Sequence, residues 1–299
     1  MSKQMVDISS GRIDHLIDLA LEEDIGSGDI STAFIRGIHR QGQGRIMAKQ
    51  DLVAAGLDVA RRVFEKLDPH GAFLAQCTDG EEIKKGRVMA EVTSSLRVLL
   101  MGERTALNFL QRMSGIATHA RAYVNLLYGT SVRLVDTRKT IPGWRVLEKY
   151  AVRVGGAHNH RMGLFDGVLL KDNHIAAAGG IAEAVDAARS NVSHLCRIEV
   201  EVTDMDEVTQ ALDAGADIIM LDNMEIAEIR AAVRMINGRA LVEVSGGVVK
   251  DRIRELADAG VDVISAGALT HSAVAVDISM KITPAAPHAS ASAVPSADG

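Results

Sequence analysis

Beyond residue 129 the apolar positions fall into short runs at a near-constant spacing. They occur at Leu134–Val135, Val168–Leu170, Arg197–Val202, Ile218–Leu221, Leu241–Val244 and Val261–Ser265, the last four about 21 residues apart. Between them the apolar period lengthens to that of a helix, which predicts helices over Ile181–Ala188, Asp204–Ala214, Glu225–Met235 and Arg252–Ala259. Two of these end alike, in Asp213-Ala-Gly-Ala-Asp217 and Asp258-Ala-Gly-Val-Asp262, where Gly215 and Gly260 suit a left-handed C-cap. Thr203 is placed to cap the helix after the third run. Strand and helix alternating at this spacing imply right-handed βαβ units and a parallel sheet. Six to seven units favour a (β/α) barrel, complete or incomplete, over an open doubly wound sheet. A dinucleotide-binding sheet would carry Gly-x-Gly-x-x-Gly after its first strand, and none is present.

The first half reads differently. Ile13, Leu16, Ile17, Leu19, Ala20 and Leu21 form a helical stripe, closed by Glu22-Glu23-Asp24 and the turn Gly26-Ser27-Gly28. Strand-like pieces follow at Arg45–Ala48, Phe73–Ala75 and Val88–Val92, with a helix near Leu57–Leu67: a small mixed sheet packed with helices. From Leu96 to Leu127 the pattern is helical with an interruption at Ser114-Gly115. Its buried face would be Leu99, Leu100, Leu107, Leu110 and Met113. Glu103 and Arg104 sit mid-helix, where an intrahelical or nearby ion pair is the plain reading. Residues 284–299, rich in Ala, Ser and Pro, read as a disordered tail.

Composition narrows the function class. The chain of 299 residues is acidic, with a formal charge of -6, and has 3% aromatic residues. Both facts argue against nucleic acid as the main partner. Cys77 and Cys196 are too few for a disulfide framework. No signal-type core or membrane-length apolar run is present, so a cytoplasmic protein without membrane partners is expected.

Residues 131–171 run against the overall charge, with eight cations against three anions. Arg138-Lys139 directly follow one apolar run and Lys171 follows another, instead of spreading over a solvated helix face. Cations at the ends of buried strands point to an anion pocket, because burying them unpaired is costly. In a barrel the chemistry gathers at strand C-termini. Those ends read Asp136-Thr137-Arg138-Lys139, Lys171-Asp172-Asn173-His174, Glu199 with Glu201, Asp222-Asn223, Ser245-Gly246-Gly247 and Ala266-Gly267-Ala268. The last two turns expose backbone N–H groups at the customary phosphate position of such barrels. Glu201 and Asp222 suit Mg²⁺ or sugar hydroxyls. His158-Asn-His160 admits a zinc reading, but His194 and His271 do not stand at strand ends to complete it. An imidazole donating to an anion fits better.

Seven blocks then carry a resemblance: Glu103-Arg-Thr-Ala-Leu-Asn108, Asp136-Thr-Arg-Lys-Thr-Ile-Pro-Gly143, Gly155-Gly-Ala-His-Asn-His-Arg-Met-Gly-Leu164, Leu170-Lys-Asp-Asn-His174, Ile198-Glu-Val-Glu201, Met220-Leu-Asp-Asn223 and Glu243-Val-Ser-Gly-Gly247. In unbroken order, over roughly residues 13 to 283, the chain resembles the quinolinate phosphoribosyltransferases, the carboxylating nicotinate-nucleotide pyrophosphorylases. Departures are mild: Ala266 where the family more often has Val or Met, and Gly28-Asp-Ile-Ser31 where it has Gly-Asp-Ile-Thr.

The resemblance implies an α/β fold, an N-terminal mixed α/β sandwich-like domain plus an incomplete seven-stranded (β/α) barrel. The corresponding division is 1–128 with the helical connection, 129–270 for the barrel, 271–283 packing back on the N-terminal domain, and 284–299 as tail. It further implies transfer of phosphoribose from phosphoribosyl pyrophosphate to quinolinate with loss of CO₂, with Mg²⁺ as cofactor. Quinolinate would be met by Arg104, Thr137, Arg138, Lys139, His160, Arg161 and Lys171. Phosphoribosyl pyrophosphate would be met by Lys139, Glu201, Asp222, Ser245, Gly246, Gly247, Ala266, Gly267 and Ala268. Lys139, Lys171, Glu201 and Asp222 would be catalytic, the two acids holding Mg²⁺ directly or through water. The family is a homodimer in which the arginine matching Arg104 enters the partner's pocket. Other readings stay open on sequence: a molybdenum-transport-associated relative, a non-catalytic phosphate-ligand binding barrel, a Schiff-base lyase using Lys139 or Lys171, and a zinc hydrolase.

Overall fold

The computed structural model describes residue 8 and residues 11–285. Helix α1 (Gly11–Ile25) leads into β1 (Gln41–Ala48), β2 (Leu52–Val53), α2 (Leu57–Leu67), β3 (Ala72–Ala75), β4 (Glu82–Ile83) and β5 (Val88–Ser95). The last strand, β12 (Ile278–Pro284), returns to make an antiparallel sheet in the order β12-β1-β5-β3. Along β1 one side chain in two faces inward, and at two of those positions the chain has glycine. A Cβ at Gly42 would lie 2.4 Å from Leu96 Cδ2 and one at Gly44 1.9 Å from Met280 Cε, so the sheet's neighbours occupy that space. Pro284 belongs to β12 and the Ala285 N–H donates to Gln41 O, which puts both outside the tail anticipated from composition. Residues 286–299 lie outside the described residues.

Helix α3 (Leu96–Val124) is continuous, against the break expected at Ser114-Gly115. Those small residues mark close contacts instead. Ser114 Oγ donates to Ala55 O and accepts from Ala55 N, and a Cβ on Gly115 would fall 2.2 Å from Val274 O. Leu100, expected inside, is 41% exposed. Its outward face continues through Arg104 and Asn108, one helical turn apart each time.

The second half contains β6 (Arg133–Val135), α4 (Arg145–Val154), β7 (Val168–Leu170), α5 (Asp172–Ala178), α6 (Ile181–Asn191), β8 (Ile198–Val202), α7 (Met205–Asp213), β9 (Ile218–Asp222), α8 (Ile226–Ile236), β10 (Leu241–Ser245), α9 (Ile253–Asp258), β11 (Val263–Ser265) and α10 (Ala268–His271). Six parallel strands follow the order β6-β11-β10-β9-β8-β7. A seventh position is held by one bridge, His158 beside Val135, with His158 N donating to Leu134 O at 2.8 Å. No ladder joins that segment to β7 among the described residues, so the barrel is incomplete.

Gly215 and Gly260 take the left-handed conformation, with φ of 74° and 88°. The cap assigned to Thr203 belongs to Asp204, whose side chain accepts from Glu207 N. Helix α4 has no counterpart among the expected helices, although Arg145, Glu148, Lys149 and Arg153 recur at helical spacing; that charged face turns inward, with Glu148 and Lys149 fully buried.

Candidate active site

A cavity of about 630 Å³ opens at the C-terminal ends of the barrel strands. After β6 come Thr137, Arg138 and Lys139; from the 158–161 segment, His160 and Arg161; after β7, Lys171. Across the mouth stand Glu201 of β8, Asp222 and Asn223 at the end of β9, Ser245-Gly246-Gly247 after β10, and Gly267 and Ala268 after β11. Cations line one side, carboxylates the middle and small residues the far side.

Buried polar contacts brace the cationic side. Asp136 and Lys149 form an ion pair whose side chains are both 0% exposed. Asp136 also accepts from Asn159 Nδ2 and from His160 N at 3.0 Å, while Lys149 donates to His160 O at 2.9 Å. Burial pushes the Asp136 carboxyl up and the Lys149 ammonium down, each opposed by the charge of the other. The cationic stretch therefore divides. Arg145 donates to Thr140 Oγ1 and Met162 O, and Arg153 to Ala157 O, so these two with Lys149 hold the loop together. Arg133 starts β6 at the opposite end of the barrel. Arg138 and Lys139 are exposed at the mouth, with no side-chain hydrogen bond or ion pair among the described residues.

Lys171 is paired with Glu201, at side-chain exposures of 42% and 14%. Arg161 sends Nη1 to Gly167 O at 3.0 Å, and its Nε has no hydrogen-bond partner. Burial lowers its pKa, and neighbouring Arg138 adds to the effect. The side chain is thus short of anionic company.

On the opposite side Asn223 takes φ 55° and donates its N–H to Ser245 O at 3.1 Å, tying two strand ends together. Its Nδ2 donates to Asp222 Oδ2 at 2.7 Å. A Cβ on Gly246 would fall 2.3 Å from Asn223 Oδ1, and Gly246 and Gly247 both have positive φ (81° and 55°). Backbone rather than side chain faces the cavity there. Ala266 departs from its expected place: it is 1% exposed and its N–H donates to Val135 O at 3.0 Å, so it has no amide to offer a ligand. Gly267 and Ala268 remain in the wall.

Arg104 does not line this cavity in its own chain. It is exposed on α3 and makes no ion pair with Glu103 or another acid among the described residues, against the plain reading of the sequence. Burial raises the Glu103 pKa, and Arg104 opposes this only at a distance.

One layer below the mouth, His160 Nε2 lies 3.2 Å from Glu199 Oε2 and 3.5 Å from Glu243 Oε1. All three ligand-type atoms fall within 4.8 Å of one another, the spacing a metal ion would need. The imidazole argues otherwise. Arg161 N–H donates to His160 Nδ1 at 2.8 Å, so that nitrogen is an acceptor and Nε2 carries the proton. A metal-bound histidine has the reverse arrangement. The occupied Nδ1 argues against the zinc reading, while His160 itself stands in the cavity wall with its side chain 16% exposed. Glu243 escaped the sequence reading, although its period-two relation to Ser245 places both on the inner face of β10.

Comparison with known proteins follows the same lines. Residues 29–114 match the N-terminal domain model of quinolinate phosphoribosyl transferase and residues 116–281 the C-terminal one. A probable carboxylating nicotinate-nucleotide pyrophosphorylase from Bacillus subtilis is 42% identical over 261 residues, covering 87% of this chain and 90% of that protein. Its namesake from Synechocystis is 44% identical over 273 residues, covering 90% and 92%. The crystal structure of NadC from Streptococcus pyogenes superposes with a TM-score of 0.89 at 43% identity, covering 94% of this chain and 99% of that one. A six-stranded open barrel with cations, carboxylates and glycine turns around its mouth, and these relatives over nearly its whole length, place the chain in the quinolinate phosphoribosyltransferase family.

Proposed function

We propose that the protein transfers phosphoribose from phosphoribosyl pyrophosphate to the ring nitrogen of quinolinate and releases pyrophosphate, CO₂ and nicotinate mononucleotide. The observation that carries the reading is the division of the cavity. Arg138, Lys139, Arg161 and Lys171 are more cations than a monocarboxylate needs, and they face amide-lined glycine turns across two acids. Two adjacent carboxylates on one ring answer the first group, with arginine binding them in bidentate fashion. The 5′-phosphate suits the Gly246-Gly247 and Gly267 backbone. Asp222 and Glu201 face the ribose between them. Lys139 stands where either substrate can use it.

The ring nitrogen attacks the anomeric carbon as pyrophosphate leaves, and Glu201 and Asp222 stabilise the positive charge that develops on the sugar. The C2–carboxylate bond then breaks, its electron pair stays on C2 beside the cationic nitrogen, and C2 takes a proton. No side-chain nucleophile is needed; orientation and exclusion of water supply the acceleration. Asp222 has one carboxylate oxygen unused, and Glu201 has one beyond its contact with Lys171, a donor set that fits Mg²⁺ arriving on phosphate oxygens. Bound there, Mg²⁺ would neutralise the departing pyrophosphate.

Arg104 completes the site from a second copy of the chain, which makes the working unit a homodimer with two shared sites. We place the enzyme in the cytoplasm, where Cys77 and Cys196 remain free thiols. The deciding assay supplies phosphoribosyl pyrophosphate with quinolinate or with nicotinate and measures CO₂ and pyrophosphate. Both are expected from quinolinate alone. Pyrophosphate from nicotinate without need of the second carboxylate would overturn the substrate, and binding without turnover would favour a non-catalytic phosphate-ligand protein.

A further inference from the structure

Helix α3 carries Arg112 behind the cavity wall, outside its lining. Its Nε and Nη2 donate to Glu148 Oε1 of α4 at 3.1 and 2.7 Å, with side-chain exposures of 19% for Arg112 and 1% for Glu148. Nη2 also donates to Thr270 O of α10 at 2.9 Å, and Nη1 to Ala273 O at 2.7 Å. One guanidinium thus spans α3, α4 and the segment after β11, using the spread of its fixed fork.

Two of its partners pass that hold to the loop between β6 and α4, which carries Arg138 and Lys139. Glu148 Oε2 accepts the Ile141 N–H at 3.3 Å. Thr270, which is 0% exposed, donates its hydroxyl to Lys139 O at 2.8 Å. The same hydroxyl lies 3.1 Å from Gly267 O, but that carbonyl already accepts the Thr270 and His271 N–H groups. Lys139 O takes no other hydrogen bond among the described residues. The loop is gripped at one carbonyl and one amide, two residues apart, and Arg112 joins both grips. Lys139 is held close to the Gly267 turn, where an added Cβ would fall 2.8 Å from Lys139 Cδ.

We propose that Arg112 and Thr270 are positioning residues for the phosphate side of the cavity: the guanidinium, through Glu148 and the Thr270 hydroxyl, sets where the Lys139 loop stands against the Gly267 turn. This rests on the reading above that phosphoribosyl pyrophosphate lies along that turn. Arg161 and Lys171 are held by other partners, Gly167 O and Glu201, so the device bears on phosphoribosyl pyrophosphate more than on quinolinate. A hydroxyl that positions and a side chain that merely fills space answer opposite substitutions. Thr270→Val keeps the shape and loses the hydroxyl; Thr270→Ser keeps the hydroxyl and loses a buried methyl.

Calorimetric titration of the full chain tests it, with quinolinate alone and with phosphoribosyl pyrophosphate in the presence of benzene-1,2-dicarboxylate, which has no ring nitrogen to react. Thr270→Val should weaken phosphoribosyl pyrophosphate by about tenfold, Thr270→Ser by no more than about threefold, and both should bind quinolinate within about threefold of wild type. Arg112→Lys keeps a charge opposite Glu148 but gives up the planar fork, and should repeat the Thr270→Val pattern. Thr270→Ser worse than Thr270→Val, or equal weakening of both ligands, would overturn the proposal. Thermal melts report folding, and if Arg112→Lys does not fold the Thr270 pair decides alone. If the wild type binds phosphoribosyl pyrophosphate but turns over no quinolinate, the substrate reading falls while the order of the two Thr270 variants still decides this one. A wild type that binds no phosphoribosyl pyrophosphate overturns both.

Discussion

Two lysine–carboxylate pairs stand within the same stretch of chain and behave as opposites. Lys149 and Asp136 are wholly buried, and Asn159 Nδ2 and the His160 N–H also donate to Asp136. Lys171 and Glu201 are in equally close contact, but Lys171 is 42% exposed at the cavity mouth. The first pair has no solvent to fall back on, so its partners are obligatory. The second can exchange its partner for a ligand at little cost. Contact distance does not separate structure from function here; access to water does.

Substitution should expose that contrast most sharply at Lys149. Lys149→Ala leaves a buried carboxylate without its cation and is expected to lower unfolding free energy by about 3–5 kcal/mol in denaturant titration. Lys171→Ala should change stability by no more than about 1 kcal/mol in the same titration. Its effect should appear instead as near-complete loss of turnover. A large stability loss at Lys171 would erase the distinction.

The mouth is also where the single chain is incomplete. Arg104→Ala should be nearly inactive although Arg104 lies outside its own chain's cavity. Refolding it together with Lys171→Ala should restore roughly a quarter of wild-type activity, since about half of randomly paired dimers carry one intact site of two. Silence from a mixture in which heterodimers are demonstrated would remove Arg104 from the partner's site. A smaller but still selective effect belongs to Arg161→Ala, which should weaken quinolinate binding by roughly 2–5 kcal/mol and leave phosphoribosyl pyrophosphate nearly untouched in separate titrations.

The gentlest probe concerns the buried layer. Glu243 has its folded pKa raised to about 8 from an ordinary value of 4.5. The folded state thus holds a proton that the unfolded state has released. Its contribution is complete below the unfolded pKa and is lost as pH rises through the folded one. Melting temperature should fall more steeply between about pH 4.5 and 8 in the wild type than in Glu243→Gln, which cannot titrate. Parallel profiles would show that Glu243 is ionised in both states.

Much of this was legible along the chain because it depends on local periodicity. The runs from Arg197 to Ser265 became β8 to β11, and Gly215 and Gly260 turned where their missing Cβ allows it. Arg138, Lys139, Lys171, Glu201 and Asp222 could be placed at one mouth from the strand-end rule alone. Helix α4 was missed: its charged residues count among the cations and anions of residues 131–171, and only the fold shows that Glu148 and Lys149 turn inward to buried partners.

What only the tertiary structure decided were matters of who faces whom. Sequence spacing cannot tell that Lys149 closes on Asp136 in the interior while Lys171 stands in the open, because each partner comes from another element and meets its lysine only in the assembled fold. Nor can it tell that the Ala266 amide is taken by Val135 O, or that the His160 Nδ1 is taken by the Arg161 N–H. Hydrogen-bond capacity is finite and is allotted only when the strands assemble. The sequence names the groups able to meet an anion; packing decides which of them are still free to do so.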